Sequence, residues 1–189
     1  MQVSIGFPSH SMINNQLKSI NPKNNKLIDS WDIPSLKEIN NLVRLTANSQ
    51  LDWKILDLSC RANLIRDLAH VIMGKSRELS ILMADEMGKP IKQGKEEIKK
   101  CAWLCNYYAK NADKFLAAEP ISLEYYKSYI SFEPLGVVLG IMPWNFPFWQ
   151  VFRFAIPSLI VGNGVLLKHA SNVQGCANEI EFCFLKAGF

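Results

Sequence analysis

The sequence lacks the features that would place its 189 residues in a membrane or a secretory pathway. Its longest apolar region, residues 137–167, is broken by prolines, by Arg153 and by the turn Gly162-Asn163-Gly164, whereas a membrane helix needs about 20 mainly apolar residues in succession. Residues 1–25 are polar and contain no charged start followed by an apolar run, so they predict no signal peptide. We therefore expect a cytoplasmic protein that does not act in a membrane.

The cysteines also lack the spacing of a metal site or a disulfide framework. None of the five forms a Cys-x-x-Cys pair, and no histidine stands near one at a metal-binding distance in sequence. Their odd number would leave one cysteine over in a set of disulfides. The sequence predicts reduced, buried thiols and no metal at these positions: Cys60, Cys101, Cys105, Cys176 and Cys183.

The chain has no strong excess of charge of one sign, since its formal net charge is +4. The one dense basic cluster, residues 92–100, is interleaved with Glu96 and Glu97, which argues against a nucleic-acid partner. Read as a helix, the cluster is a solvated face on which Glu96 pairs with Lys100, four residues later.

What the chain does have is an ordinary globular composition, with 49% hydrophobic and 20% charged residues. Helical spacing of apolar residues predicts a helix that begins near Pro34-Ser35-Leu36 and further helices over 59–73, 77–86 and 91–114. We expect Arg61 and Arg66 to face solvent. The aromatic and sulfur residues of the fourth helix are expected to pack in the core: Cys101, Trp103, Cys105, Tyr107 and Tyr108.

The pattern changes in the second part of the chain. Residues 121–132 alternate and are rich in β-forming side chains, which predicts strands or a hairpin. The continuous apolar run 136–142 is typical of a strand covered on both faces, and it is followed by a helix over 147–160, a strand over 165–168 and a helix over 172–186. This order predicts an α/β unit with a right-handed crossover, whose ligands bind where the strands end, so residues 143–145 and 168–171 should be neighbours.

No Gly-x-Gly-x-x-Gly fingerprint follows the first of these strands, so an ordinary dinucleotide fold is not indicated by that motif. The residues there are Pro143-Trp144-Asn145-Phe146-Pro147. With this motif and several others in the same order, the chain resembles the aldehyde dehydrogenase superfamily from about residue 20 to residue 189. The other motifs are Glu86-Met87-Gly88-Lys89-Pro90, Glu133-Pro134-Leu135-Gly136-Val137, Gly162-Asn163 and Leu166-Leu167-Lys168-His169-Ala170.

The resemblance implies an α/β fold: an N-terminal helical segment, the first half of a Rossmann-like cofactor-binding domain and a β-arm of the oligomerisation region. The expected divisions are 1–120 for the helical part of the cofactor-binding domain, 121–135 for the β-arm and 136–189 for the first βαβα portion. A catalytic domain is expected to be absent from this chain.

The resemblance also assigns roles to residues. Asn145 would donate its side-chain amide to the oxygen of the thiohemiacetal that forms when a cysteine attacks the aldehyde, a fixed donor facing developing negative charge. The expected cofactor-binding residues are Met142, Trp144, Asn145, Lys168 and Ser171. Family members committed to NAD often carry glutamate at the place of Ser171, so NAD or NADP is expected here.

Blander interpretations stay open for the same residues. Asn145 would otherwise satisfy a turn, and Lys168 would be a solvated lysine at a strand end. Ser171 would be the N-cap of the following helix, a role compatible with cofactor binding.

Arg153 lies inside an apolar helix, where an unpaired charge would be costly, so a partner is expected for it. The succinate-semialdehyde dehydrogenase branch resembles this chain most, and it carries an arginine here that binds the substrate carboxylate. A structural salt bridge is the alternative.

The family's nucleophilic cysteine and general-base glutamate lie downstream of the matched region, and no cysteine of this chain falls in the nucleophile motif. We therefore expect an N-terminal part of an enzyme that oxidises a small aldehyde, inactive alone. Since the family is homo-oligomeric, one alternative is a non-catalytic fragment that joins a partner chain through its β-arm. Another is a bare nucleotide-binding module.

Overall fold

The computed structural model describes residues 16–123 and 127–189. It begins with an antiparallel hairpin of β1 (Gln16–Ile20) and β2 (Leu27–Asp32). Four helices follow: α1 (Leu36–Ile55), α2 (Leu58–Gly74), α3 (Ser76–Met87) and α4 (Ile91–Phe115). All four helices are predicted by the apolar spacing. The hairpin is not, because its short strands are largely polar and carry little alternation.

The predicted helix boundaries have local causes in the structure. Ser35 is the N-cap of α1 and forms a capping box with Glu38, in which each side chain accepts from the other residue's backbone N–H. Gly88 ends α3 with a φ of 75°, a left-handed conformation that glycine adopts without strain. Pro90 then separates α3 from α4.

The second part of the chain contains a short antiparallel ribbon and the predicted α/β unit. The ribbon pairs β3 (Glu119–Ile121) with β4 (Ser128–Ile130), and residues 124–126 of the predicted hairpin lie outside the described residues. The unit consists of β5 (Val137–Ile141), α5 (Trp149–Val161), β6 (Gly164–Lys168), a 3-10 turn (Ser171–Val173) and α6 (Gln174–Lys186). Because β5 and β6 are parallel and aligned from Val137↔Gly164 to Ile141↔Lys168, the predicted α/β fold is confirmed.

One cluster of buried apolar side chains joins the helical part to the α/β unit. It includes Ile65 of α2, Ile98 of α4, Phe152 of α5 and Ile180 of α6. Each fully buried side chain of this size contributes about 1.5–3 kcal/mol of hydrophobic stabilisation. Residues on both sides of position 120 therefore stabilise the same core.

The expectation that β5 is covered on both faces is wrong. Leu139 and Ile141 point to an open face and are 58% and 66% exposed, whereas Gly140 between them is buried. On the covered face, a Cβ at Gly140 would lie only 2.4 Å from the Phe154 ring of α5. An apolar run alone does not distinguish a strand packed on two faces from one packed on one.

Two expectations about helix faces are also wrong. Arg61 is buried rather than solvated, because its guanidinium donates to the carbonyls of Lys54 and Leu56, which end α1, and of Ile160 in α5. In α4 the thiols are fully buried as expected, but Trp103 is 59% exposed and stacks on the exposed Tyr107. Two of the three aromatic residues named for this helix thus lie on its outer face, and only Tyr108 packs against the core.

The charged cluster of α4 pairs differently from the expectation. Glu96 forms its ion pair with Lys99, not with Lys100, whose ammonium lies 3.9 Å from the centroid of the Trp149 ring. Its neighbour Glu97 is buried, so the cluster is only partly a solvated face.

None of the helices among residues 16–123 and 127–189 combines the length and the apolar character needed to cross a membrane.

Candidate active site at the strand ends

The carboxyl ends of β5 and β6 lie side by side. The Met142 N–H donates to the Lys168 carbonyl at 3.0 Å, one residue beyond the last register pair, Ile141↔Lys168. The loops that leave the two strands, 142–148 and 169–173, therefore start from the same edge. This confirms the sequence-based prediction that they are neighbours.

Asn145 lies in the first of these loops and is exposed. Within the described part of the chain its side chain forms no hydrogen bond, so it does not satisfy the turn in which it stands. Its amide is available to an external acceptor. This is the property that an oxyanion donor requires.

The loop of Asn145 is fixed on its carboxyl side by a buried carboxylate of α4. Oε1 of Glu97 accepts from the backbone N–H groups of Phe148 and Trp149, each at 2.9 Å, at the start of α5. Its Oε2 forms a buried ion pair with the ammonium of Lys89. A negative charge at a helix N-terminus is favourable because the first N–H groups of a helix have no partner within it.

The second loop is fixed in a similar way by α3. The two carboxylate oxygens of Glu86 accept from the N–H groups of Gly175 and Cys176, each at 2.8 Å, at the start of α6. The approach is close, since a Cβ at Gly175 would lie 2.8 Å from Oε1 of Glu86. The alternative role of Ser171 as the N-cap of this helix is not observed, because Ser171 makes no capping hydrogen bond and Glu86 takes that place.

His169 links the two loops. Its Nδ1 accepts from the Ala170 N–H at 2.8 Å, which leaves Nε2 protonated and donating to the Pro147 carbonyl at 2.9 Å. The ring is buried, and this burial lowers its pKa below the usual value of 6.5 although the hydrogen bond to Pro147 acts in the opposite direction. His169 is therefore neutral and couples the position of one loop to the other.

The expected cofactor residues surround this edge. Met142 is half-buried and Trp144 is exposed in the first loop, while Lys168 is exposed at the end of β6 and Ser171 is half-buried after it. Among the described residues Lys168 forms no ion pair. An ammonium, a hydroxyl and an indole fit the hydroxyls or the phosphate of a nucleotide ribose.

The same edge does not offer a cradle for the pyrophosphate of a dinucleotide at the helix ends described. A helix N-terminus binds phosphate through its first N–H groups. Here Glu97 and Glu86 already occupy these groups in α5 and α6, and their charge would repel an anion. The residues present therefore fit only the ribose end of a cofactor.

The sequence places Arg153 among apolar residues and so predicts a charged partner for it, but the structure shows that none is required. Its side chain is exposed on α5, and it forms no ion pair within the part of the chain that the structure describes. The cost of a buried charge does not arise, so the alternative of a structural salt bridge is not observed.

Four of the five cysteines are buried as expected, but Cys60 in the first turn of α2 is exposed, so the expectation of a buried thiol is wrong at that position. Burial raises the pKa of Cys105 to about 12 and that of Cys183 to about 11, and it raises the pKa of Cys101 and Cys176 as well. These four thiols are not nucleophiles at neutral pH, because attack requires the thiolate. In the described residues, no group of three histidine, cysteine or acidic side chains could bind a metal ion.

Sequence reasoning missed the residues that fix the loops: Glu86, Lys89, Glu97 and His169. Three of them fall inside motifs that carry the family resemblance, Glu86-Met87-Gly88-Lys89-Pro90 and Leu166-Leu167-Lys168-His169-Ala170. Their place in these motifs is the sequence signal that could have identified them. Glu97 had none, because it stands beside Glu96 in a cluster of lysines and the sequence does not tell the buried carboxylate from the exposed one.

The chain is similar in sequence and in fold to known proteins. Residues 9–189 match the aldehyde dehydrogenase family. The chain belongs to this family. It is 41% identical over 170 residues to the succinate semialdehyde dehydrogenase [NAD(P)+] Sad of Escherichia coli (strain K12), and this match covers 90% of the chain and 37% of the relative. It is also 41% identical over 173 residues to a probable NADP(+) succinate-semialdehyde dehydrogenase of Synechocystis sp. (strain ATCC 27184 / PCC 6803 / Kazusa), covering 92% and 38% of the two proteins.

Solved structures of aldehyde dehydrogenases share the fold. The succinic semialdehyde dehydrogenase of Streptococcus pyogenes, solved with NADP+, superposes with a TM-score of 0.88 at 29% identity and covers 92% of this chain and 38% of its own. The chain thus spans less than two fifths of the length of the aldehyde dehydrogenases that it matches.

Proposed function

We propose that this chain supplies the oxyanion donor and the ribose-side edge of an NAD(P)-dependent aldehyde dehydrogenase whose substrate is succinate semialdehyde. One observation carries the proposal: the Met142–Lys168 hydrogen bond brings the exposed, unpaired Asn145 amide and the exposed Lys168 ammonium to the same strand edge. The names of the relatives in Escherichia coli and Synechocystis support the substrate.

In this proposal Asn145 donates to the carbonyl oxygen of the aldehyde as negative charge develops on it. Lys168 and Ser171 contact the cofactor ribose, and Met142 and Trp144 line the same cleft. Because Ser171 carries no charge that would repel a 2′-phosphate and Lys168 would attract one, the site accepts NADP as well as NAD. The nucleotide itself supplies the hydride acceptor.

The proposal can be tested in a fusion in which this chain replaces the matching region of the Escherichia coli relative. The wild-type fusion should reduce NADP+ with succinate semialdehyde, and Asn145→Ala should lower kcat by about 10²–10³-fold, the effect of losing one oxyanion donor. Asn178→Ala, at an exposed asparagine of α6, is the matched control. If the fusion is active and Asn145→Ala has the same kcat as Asn178→Ala, Asn145 has no role in the reaction.

Binding to the chain itself gives a second test. Since the described residues offer only the ribose end of the proposed cofactor site, titration with NADP+ should give weak or undetectable heats. Millimolar NADP+ should nevertheless shift NMR signals of residues 142–145 and 168–171, and Lys168→Met should abolish these shifts. Shifts confined to the opposite end of the sheet, near Gly162, would contradict the proposed edge.

We propose that Arg153 binds the substrate carboxylate, because it is exposed on the helix that follows the Asn145 loop and has no partner among the described residues. In the fusion, Arg153→Met should raise KM for succinate semialdehyde and leave KM for butanal, which has no carboxylate, nearly unchanged. An equal change for both aldehydes would contradict this role.

A second candidate function is assembly with another chain through the ribbon β3–β4. Its apolar side chains Ile121, Tyr129 and Ile130 are exposed, and so is Leu123 in the segment that follows β3. Paired strands with such an edge are suited to adding a further strand. We propose that the ribbon, whose first strand begins two residues before the division 121–135, joins copies of the protein, and that 1–120 and 136–189 form the cofactor-binding part. A chain that stays monomeric in size-exclusion chromatography at high concentration would oppose this assembly.

A cytoplasmic location is proposed with these functions. The four buried cysteines are unpaired, as is usual where thiols stay reduced.

A further inference from the structure

We propose that the buried Lys89–Glu97 ion pair is a positioning device for Asn145, in addition to its place in the core. The inference rests on the proposed function of Asn145 as an oxyanion donor. Neither residue of the pair touches the expected substrate site; they act through the backbone that follows Asn145.

The pair is almost fully removed from solvent. Lys89 and Glu97 are 6% and 4% exposed, and no buried polar side-chain atom of the described residues lacks a hydrogen-bond partner. A buried ion pair of this kind is rarely the most stabilising choice, because the loss of hydration offsets the attraction between the charges. Apolar side chains could fill the space of the two charges, but they could not accept from the Phe148 and Trp149 N–H groups, so what the pair adds beyond packing is the support of this backbone.

The contacts of the pair converge on one short segment. Glu97 binds the N–H groups of Phe148 and Trp149, and the Lys89 ammonium lies 3.9 Å from the centroid of the Phe146 ring. The Pro147 carbonyl between them is bound by His169. Every residue from 146 to 149 is thus contacted by a buried polar group.

The other side of Asn145 is also fixed, since the Met142 N–H is bound to the Lys168 carbonyl. Asn145 therefore stands between two anchored stretches while its own side chain stays unpaired. A donor for a transition state must be held within a fraction of an ångström of its productive position by the groups behind it. The pair supplies that support on the side of α5.

Two double variants separate positioning from simple stability. Lys89→Met with Glu97→Leu removes both charges and the acceptor but keeps apolar groups of similar size in the core. Lys89→Met with Glu97→Gln also removes both charges, yet the amide oxygen of the glutamine can still accept from Phe148 and Trp149. The first variant loses the support of the loop, and the second retains it.

The first readout is amide hydrogen exchange in the chain itself. The Met/Leu variant should exchange the Phe148 and Trp149 N–H groups about tenfold faster or more, because each loses its hydrogen-bond acceptor, while Gly175 and Cys176 serve as internal controls bound by Glu86. The Met/Gln variant should exchange at nearly the wild-type rate. Equal exchange at residues 148 and 149 in wild type and both variants would overturn the inference.

The second readout is the split between kcat and KM in the fusion with the Escherichia coli relative. The Met/Leu variant should lower kcat by about tenfold or more with KM for NADP+ within about twofold, and the Met/Gln variant should recover kcat, because only the oxyanion donor is displaced. A general loss of folding would lower the active fraction in both variants alike. Unchanged kcat in the Met/Leu variant would overturn the inference.

The outcome for Asn145 is read separately. If Asn145→Ala leaves kcat of an active fusion unchanged, the proposed function of Asn145 fails whatever the exchange rates show. If Asn145→Ala lowers kcat but the Met/Leu variant does not, the oxyanion role stands and only the positioning role is wrong.

Discussion

The N-termini of α5 and α6 are both capped by a buried carboxylate, but only the carboxylate at α5 has an ammonium partner among the described residues. Each helix follows a strand of the parallel pair, and each N-terminus receives a buried carboxylate, Glu97 or Glu86. Glu97 is also paired with the Lys89 ammonium, whereas Glu86 forms no ion pair in the described part of the chain. A buried carboxylate can thus be balanced by a helix N-terminus alone, and the added ammonium marks the start of α5, which follows the Asn145 loop.

The largest effect should come from breaking the ion pair on one side only. Lys89→Met leaves the Glu97 carboxylate buried with only the α5 N–H groups, and the free energy of unfolding should fall by about 3–5 kcal/mol. Urea denaturation would measure it, with Lys75→Met as a control at a half-exposed pair, expected to cost about 1 kcal/mol at most. If Lys89→Met lowers the free energy of unfolding no more than Lys75→Met does, the N-terminus of α5 alone balances the Glu97 carboxylate, as the N-terminus of α6 balances Glu86.

A smaller effect should follow from crowding the contact at α6. Gly175→Ala would place a Cβ 2.8 Å from Oε1 of Glu86, so the carboxylate must shift, at a cost of about 1–3 kcal/mol. Gly74→Ala is the matched helical control, because nothing lies within 4 Å of the Cβ there. Thermal unfolding of the two variants compares them directly, and equal melting temperatures would show that Glu86 does not require the close approach.

His169, which links the loops before α5 and α6, should make the free energy of unfolding depend on pH. The pKa of His169 is lowered by burial, so below its unfolded value of 6.5 the unfolded chain binds a proton that the folded chain does not. The free energy of unfolding should therefore fall as the pH drops from 6.5 toward the lower folded pKa. His169→Gln should remove this part of the dependence when urea unfolding is compared at about pH 7.5 and about pH 5.5. An identical slope in the variant would place the titrating group elsewhere.

The smallest effect on the free energy of unfolding is expected at Glu96, which lies next to the buried Glu97 on α4. Glu96 is adjacent to Glu97 but pairs with Lys99 at the surface, with both side chains more than half exposed. Glu96→Gln should change the free energy of unfolding by less than about 0.5 kcal/mol, and added salt should weaken even that. A loss comparable to that of Lys89→Met would contradict the assignment of Glu96 to the solvated face.

The sequence predicts most of the framework because periodic apolar residues, capping residues and breakers act locally. Ser35 with Glu38, Gly88 and Pro90 set helix boundaries that the structure confirms. The adjacency of Met142 and Lys168 is predictable too, since parallel strands end at one edge. Their roles toward a cofactor stay predictions.

What the sequence does not predict depends on contacts between distant residues. Arg61 looks like a surface arginine of an amphipathic helix, and Glu97 looks like Glu96, until α5 packs against them and turns their backbone partners inward. The open face of β5, with Leu139 and Ile141, is likewise a property of what packs against the strand and not of the strand itself. Burial of individual charged side chains is decided at this level.

The buried Arg61 has a consequence for how the molecule comes apart. Its guanidinium binds the last carbonyls of α1 and a carbonyl of α5 that lies 99 residues further along the chain. Departure of either helix removes part of the hydrogen bonding of this buried guanidinium, so local unfolding of α1 or of α5 destabilises the packing of the other helix. Calorimetry should show a single cooperative transition, with no separate event for the residues on either side of position 120.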